Sequence, residues 1–262
     1  MSKLKSGNIA SLMLLMWLCV NFAFAFFLPK WVAFAGIISC TLPMLLFKQK
    51  YRGKTFGSRD CNTVKYKKKD YALFFVLCIS GCAILSAISF LLFSDGTQAT
   101  TAAHRSQFLY PLVFSCIIPA FFEEWFVRGG ILGSFAKYSG LGIYVTALVF
   151  AAMHSTAQIL YVAFAGILIT SLVYVTECIY LGMLLHFLNN FTSLLLSYLS
   201  GGAQYIALAV ILVAFVISAV LLRKSNLLAD IGSVLVTHNK EDGKEVITPF
   251  FVIALFLTRF FI

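Results

Sequence analysis

Long apolar runs separated by short polar segments dominate the chain. The eight runs lie at 8–28, 31–47, 71–93, 108–132, 141–155, 157–176, 178–199 and 203–222. A helix needs about 20 apolar residues to cross the hydrocarbon core of a bilayer. The pattern therefore predicts an all-α, polytopic membrane helix bundle of about eight transmembrane helices.

The composition excludes a soluble domain. Of the 262 residues, 61% are hydrophobic and only 11% are charged, whereas soluble domains carry about 25% charged residues. The first run ends near Ala23-Phe24-Ala25, which would fit a signal-peptide cleavage site. We favour an uncleaved helix, because the apolar character continues past Ala25 and a second run follows Pro29-Lys30 at once.

The positive charge is concentrated in one loop. Nine of the twenty Lys and Arg residues lie between Lys48 and Lys69, and the net charge is +10. Cytoplasmic loops of membrane proteins carry such an excess, so loop 48–69 and both chain termini are predicted to be cytoplasmic in a multi-pass protein of the cell membrane. No aromatic-interleaved basic motif supports nucleic-acid binding. The seven cysteines form no CxxC pair and are predicted to be small core residues.

Three charged residues interrupt the fourth apolar run. Glu123, Glu124 and Arg128 lie within six positions, and such intramembrane charges usually face a protein interior and mark a functional site. In a helix Glu124 and Arg128 share a face, while Glu123 is turned by about 100° and can face a different cavity. Pro119, just before the pair, predicts a kink or a widened turn. A purely structural Glu–Arg pair between helices is the alternative.

Two further runs carry polar residues at helical spacing. His154 ends Phe150-Ala-Ala-Met-His154 in the fifth run, and the seventh run contains His186-Phe-Leu-Asn-Asn190. At about 1.5 Å of rise per residue, these side chains and Glu123 can meet inside the membrane. A carboxylate with a His partner can activate water, while N–H donors stabilise an oxyanion. Glu123, His154 and His186 are also possible zinc ligands, although the chain has no HExxH motif.

Together, these motifs resemble those of the CAAX-protease and bacteriocin-processing family (CPBP, also called Abi), which includes the type II CAAX prenyl endopeptidases. The family pattern is EExxxR, FxxxH and HxxxN on successive membrane helices, and the resemblance covers roughly residues 108–200. The resulting organisation is one membrane domain in three parts. These are 1–107 with the N-terminal helices and basic loop 48–69, 108–200 as the CPBP-like catalytic core, and 201–262 with the last transmembrane helix, a polar tail and an apolar end.

The resemblance implies an intramembrane endopeptidase. Glu123 and His154 would activate the hydrolytic water, and His186 and Asn190 would form the oxyanion site. Arg128 would orient or pair a carboxylate, in the first place Glu124. The family has been described both as metal-dependent and as glutamate-dependent; we favour no cofactor, with zinc as the alternative.

The substrate is less defined than the reaction. We expect a small hydrophobic or membrane-associated peptide, cleaved in a bacterial cell membrane, rather than a prenylated one. The oligomeric state stays open. A non-catalytic membrane immunity or scaffold protein is the main alternative, and a proton-coupled transporter is disfavoured because the chain lacks an evident inverted repeat with paired broken helices.

The C-terminal stretch from Val246 to Ile262 is apolar, short and interrupted by Arg259. It allows an interfacial helix, a segment packed on the bundle, or a ninth crossing.

Overall fold

The computed structural model describes residues 6–28, 31–48, 65–93, 108–135, 138–237 and 243–260, which form helices and no strand. The helices, numbered here in chain order, are α1 Ser6–Phe27, α2 Val32–Lys48, α3 Lys68–Phe93, α4 Leu109–Phe135, α5 Ser139–Ala152, α6 Ile159–Thr176, α7 Ile179–Ser197, α8 Gly202–Leu222, α9 Asn226–Val236 and α10 Pro249–Phe260. A short helical turn, Gly243–Val246, precedes α10. The predicted all-α class is confirmed.

Each predicted apolar run contains one helix, with ends that differ from the prediction by a few residues. Six described helices are long and apolar enough to cross a membrane, namely α1, α3, α4, α6 with its preceding turn, α7 and α8. Helices α2 and α5 are shorter, at 17 and 14 residues. The chain is therefore a polytopic helical bundle with several apolar helices of membrane-spanning length.

Helix α4 is irregular around Pro119, as predicted. It widens into π-helical turns at Leu112–Ile117 and Trp125–Ile131, on either side of the α-helical segment Ile118–Glu124. Proline lacks the N–H that would bond to the carbonyl four residues earlier, and its ring clashes with that carbonyl. The acidic pair thus lies between two widened turns, a feature that is frequent at functional sites.

The described part of the C-terminal stretch packs on the bundle, while its position relative to the membrane stays a prediction. Helix α10 contacts α1 and α5, and Phe251 meets Phe135 edge-to-face at 5.9 Å between ring centroids. Ala254 and Thr258 are fully buried on the same face. The start of this stretch lies very close to α1: a Cβ added at Gly7 would be only 2.2 Å from the Val246 carbonyl oxygen.

At one end of the bundle, the segment before α3 is bonded to helix α9. The Tyr66 hydroxyl donates to Asp230 Oδ2 at 2.6 Å, and Lys65 Nζ lies 2.8 Å from the same oxygen. Gly140 N–H donates to the Thr237 carbonyl at this end. Residues 49–64, most of the basic loop, and the chain termini lie outside the described residues, so the membrane orientation stays a prediction.

Most described cysteines agree with their prediction as small core residues. Cys40, Cys78, Cys82 and Cys116 are buried and free. Cys178, directly before α7, is also buried but is disulfide-bonded. Cys19 is exposed, so for this residue the core prediction is wrong.

Candidate active site

Glu124 and Arg128 form a fully buried ion pair. Arg128 Nη1 lies 2.6 Å from Glu124 Oε1, and neither side chain is exposed. Arg128 also donates through Nε to Thr170 Oγ1 at 3.2 Å and through Nη2 to the Gly166 carbonyl at 3.4 Å, and its guanidinium lies 4.4 Å from the centre of the Phe150 ring. These contacts connect α4 to α5 and α6. Within α4, the Glu124–Arg128 pair spans one helical turn, as the spacing predicts.

His186 joins this pair from α7. Its Nδ1 lies 2.8 Å from Glu124 Oε1. A carboxylate only accepts hydrogen bonds, so this ring nitrogen carries a proton and Nε2 faces away from Glu124. The close approach requires Gly182 one turn earlier on α7, since a Cβ there would lie 2.7 Å from Val173 Cγ2 and 3.1 Å from Glu124 Oε2.

Glu123 faces His154 instead of Arg128. The separation of Glu123 Oε2 and His154 Nε2 is 4.0 Å, and the side chains are 25% and 21% exposed. His154 Nδ1 lies 2.8 Å from the Phe150 carbonyl oxygen, which can only accept, so Nδ1 is the protonated nitrogen. In the neutral ring the lone pair of Nε2 is thus directed to the side where Glu123 lies.

Glu123, His154, His186 and Asn190 line one cavity of 460 Å³, whereas Glu124 and Arg128 lie behind its wall. The remaining lining residues are Pro111, Phe114, Ser115, Cys116, Pro119, Phe150, Gln158, Tyr161, Val162, Ala165, Ile169, Asn189, Ser193 and Leu194. The cavity combines an apolar wall with a few convergent polar groups, which is typical of ligand sites.

Asn190 links α7 to the irregular part of α4. Its Nδ2 donates to the Ser115 carbonyl at 3.0 Å. Ser115 lies four residues before Pro119, which has no N–H to offer that carbonyl, so Asn190 supplies a donor in its place. An amide nitrogen has two hydrogens, and the second stays available for a bound molecule.

Three residues at the site were not predicted from the sequence. Asn189 is buried and lines the cavity beside Asn190; its position three residues after His186 was an available signal. Thr170 holds Arg128, and Arg259 donates to the His154 carbonyl at 3.1 Å. No local spacing relates either of these residues to the motifs.

The zinc alternative requires three converging donors. Within the described ranges, no group of three His, Cys, Asp or Glu side chains is arranged to hold a metal ion. Glu123 and His154 approach each other at 4.0 Å, but no third such side chain completes a donor set with them in the described part of the chain. The described residues therefore show no zinc donor set, and no step of the reaction is derived through a metal.

A cavity that holds a carboxylate, two histidines and asparagine amides has the groups that hydrolysis needs, namely a base for water and N–H donors for an oxyanion. Residues 105–192, about a third of the chain, match the family model for Rce1-like type II CAAX prenyl endopeptidases. This segment contains all six predicted site residues, and the match confirms the resemblance to the CPBP/CAAX protease family. The family implies a protease. Neither a curated protein nor a solved structure matches the chain.

Proposed function

We propose that this protein is an intramembrane endopeptidase in which Glu123 and His154 activate the water that hydrolyses a peptide bond. The observation that carries the proposal is the 4.0 Å separation of Glu123 Oε2 and His154 Nε2 at the wall of the cavity. The match to the type II CAAX prenyl endopeptidase model supports the same class of reaction.

The two side chains are spaced to hold one water molecule. A water at about 2.8 Å from both atoms would see them roughly 90° apart, near the angle between its own O–H bonds. It would donate one hydrogen to Glu123 and the other to His154 Nε2. Its oxygen lone pairs would then be free to attack a peptide carbonyl in the cavity.

In the first step the Glu123 carboxylate takes a proton from water while the water oxygen bonds to the carbonyl carbon. The carbonyl oxygen becomes an oxyanion. In the second step this tetrahedral intermediate collapses, the C–N bond breaks, and Glu123 returns the proton to the leaving amine. One carboxyl group thus acts first as base and then as acid, and no other reactant is needed.

Donors for the oxyanion lie on α7. Asn190 has one N–H remaining after its bond to Ser115, and Asn189 adds a second amide at the same wall. His186 Nε2 is a donor only when the ring carries both protons, because Nδ1 is already bonded to Glu124. Glu124 and Arg128 have a positioning role, since they hold His186 but do not line the cavity.

The substrate we propose is a small hydrophobic or membrane-associated peptide. The apolar part of the wall, including Phe114, Val162 and Ile169, suits apolar side chains. A cavity of 460 Å³ accommodates a few residues and not a folded domain.

The test compares peptides in the membranes and culture medium of cells that contain the wild-type protein, Glu123→Gln at matched abundance, or no protein. Glu123→Gln preserves size but removes the base, so products should fall by about 10² to 10⁴-fold. Glu177→Gln is the matched control, because this carboxylate does not line the cavity. It should leave the products unchanged.

The alternatives give different results. A scaffold or immunity protein would keep its cellular effect in Glu123→Gln, and no peptide would depend on the wild-type residue. A proton-coupled transporter would change the distribution of a solute across the membrane without new peptide termini. Either pattern would refute the endopeptidase assignment.

A further inference from the structure

His154 lies just beyond the end of its helix. Helix α5 ends at Ala152, and the chain tightens into a last turn in which His154 N–H donates to the Ala151 carbonyl at 3.1 Å. Ser155 is then extended, with φ −63° and ψ 159°, before a 3₁₀ turn at Thr156–Gln158 begins. The last carbonyls of a helix have no partner within it, so side chains or water must bond to them.

The C-terminal helix supplies the missing donor. Arg259 Nη1 donates to the His154 carbonyl at 3.1 Å, and Arg259 Nη2 donates to Thr156 Oγ1. The contact spans 105 residues of sequence. It exists because α10 packs against α1 and α5, which places its last turn beside the end of α5.

We propose that Arg259 is a positioning residue for His154, so that the C-terminal helix forms part of the active site. The inference rests on the proposed function for the role of His154, but the contact itself does not. Arg259 fixes the backbone on the C-terminal side of His154, while the Phe150 carbonyl fixes the ring through Nδ1. Together these two constraints direct Nε2 to Glu123.

Arginine suits this role because its planar fork places two N–H donors at once. The two acceptors, His154 O and Thr156 Oγ1, lie on either side of the extended Ser155. Lysine carries a single ammonium on a flexible stem, so it would restore the charge without the fixed two-point geometry. Arg259 also lies outside residues 105–192, so the family match does not include it.

The first readout is the tautomer of His154, measured by ¹⁵N NMR of histidine-labelled protein in phosphatidylethanolamine–phosphatidylglycerol nanodiscs. The chain has four histidines, and His154→Gln assigns the signal. Wild type should show one signal with the proton on Nδ1. Arg259→Gln should show exchange between tautomers, and Arg259→Lys should show an intermediate state. Arg223 is an exposed arginine at the end of α8, so Arg223→Gln should show the wild-type signal.

The second readout is turnover of a quenched-fluorescent library of apolar decapeptides by the same samples. Arg259→Gln should lower kcat by about 10- to 100-fold with little change in KM, because misplacing a catalytic group by about 1 Å has effects of that size. Arg223→Gln should retain full turnover. Arg259→Lys should recover part of kcat.

The outcomes separate this inference from the proposed function. An unchanged His154 signal in Arg259→Gln overturns the positioning role, whatever the turnover. A changed signal with full turnover in Arg259→Gln also overturns it, provided that His154→Gln is inactive. If His154→Gln and Glu123→Gln both retain turnover, the proposed function fails, while a changed signal still supports the structural contact.

Discussion

Replacing Arg128 by glutamine should lower the stability of the protein far more than removing both charges of its buried ion pair. Arg128 and Glu124 are completely buried, and their contact is 2.6 Å. Removing one member of a buried pair leaves an uncompensated charge, which costs about 3 to 5 kcal/mol. For a chain of this size, a loss of 1 kcal/mol lowers Tm by roughly 2 to 4 °C, so Arg128→Gln should lose about 10 °C. Arg128→Gln with Glu124→Gln should recover much of that loss.

The buried free cysteines provide the assay. Cys19 is free and exposed, so the assay uses a Cys19→Ser background. In that background the buried Cys40, Cys78 and Cys82 react with a thiol-sensitive dye when the bundle opens, so dye fluorescence during heating in detergent reports unfolding. Arg223→Gln is the control for loss of an arginine, because Arg223 is exposed. Equal melting of Arg128→Gln and Arg223→Gln would refute the reasoning. A double variant whose loss in Tm equals the sum of the losses of the two single variants would also refute it.

Two further predictions concern a close helix contact and the ion pair at one end of the bundle. Gly182→Ala should displace α7 from Val173 and Glu124, which should destabilise the protein by about 1 to 3 kcal/mol and lower turnover. Gly133→Ala should be tolerated, because nothing lies within 4 Å of the added Cβ. Equal effects of the two variants in the thiol-dye and peptide assays would contradict this prediction. Hydrogen bonds from Lys65, and then from Tyr66, lower the pKa of Asp230 below its ordinary 3.8. The pair therefore stabilises the protein above that pH and loses this contribution as the pH falls through the lowered pKa. Asp230→Asn should abolish this part of the pH dependence of Tm at and below pH 3.8, and an unchanged profile there would count against it.

The sequence alone determined the elements and the local part of the site. Helices in a bilayer must satisfy their own backbone hydrogen bonds and match the apolar thickness, so run length and composition nearly suffice to place them. The Glu124–Arg128 pair is likewise local, because residues four apart share a helix face. Pro119 predicted the widened turn for the same kind of reason, since the missing N–H acts within its own helix.

Only the tertiary structure decided which elements meet and what each polar group contacts. His186 bonds to Glu124 across 62 residues of sequence, Asn190 to Ser115 across 75, and Arg259 to His154 across 105. Each contact depends on how two helices pack, through close approaches such as Gly182 against Val173. Helical periodicity gives the face on which a side chain lies but not the helix that covers that face, so the motifs identified the members of the site while packing determined their partners.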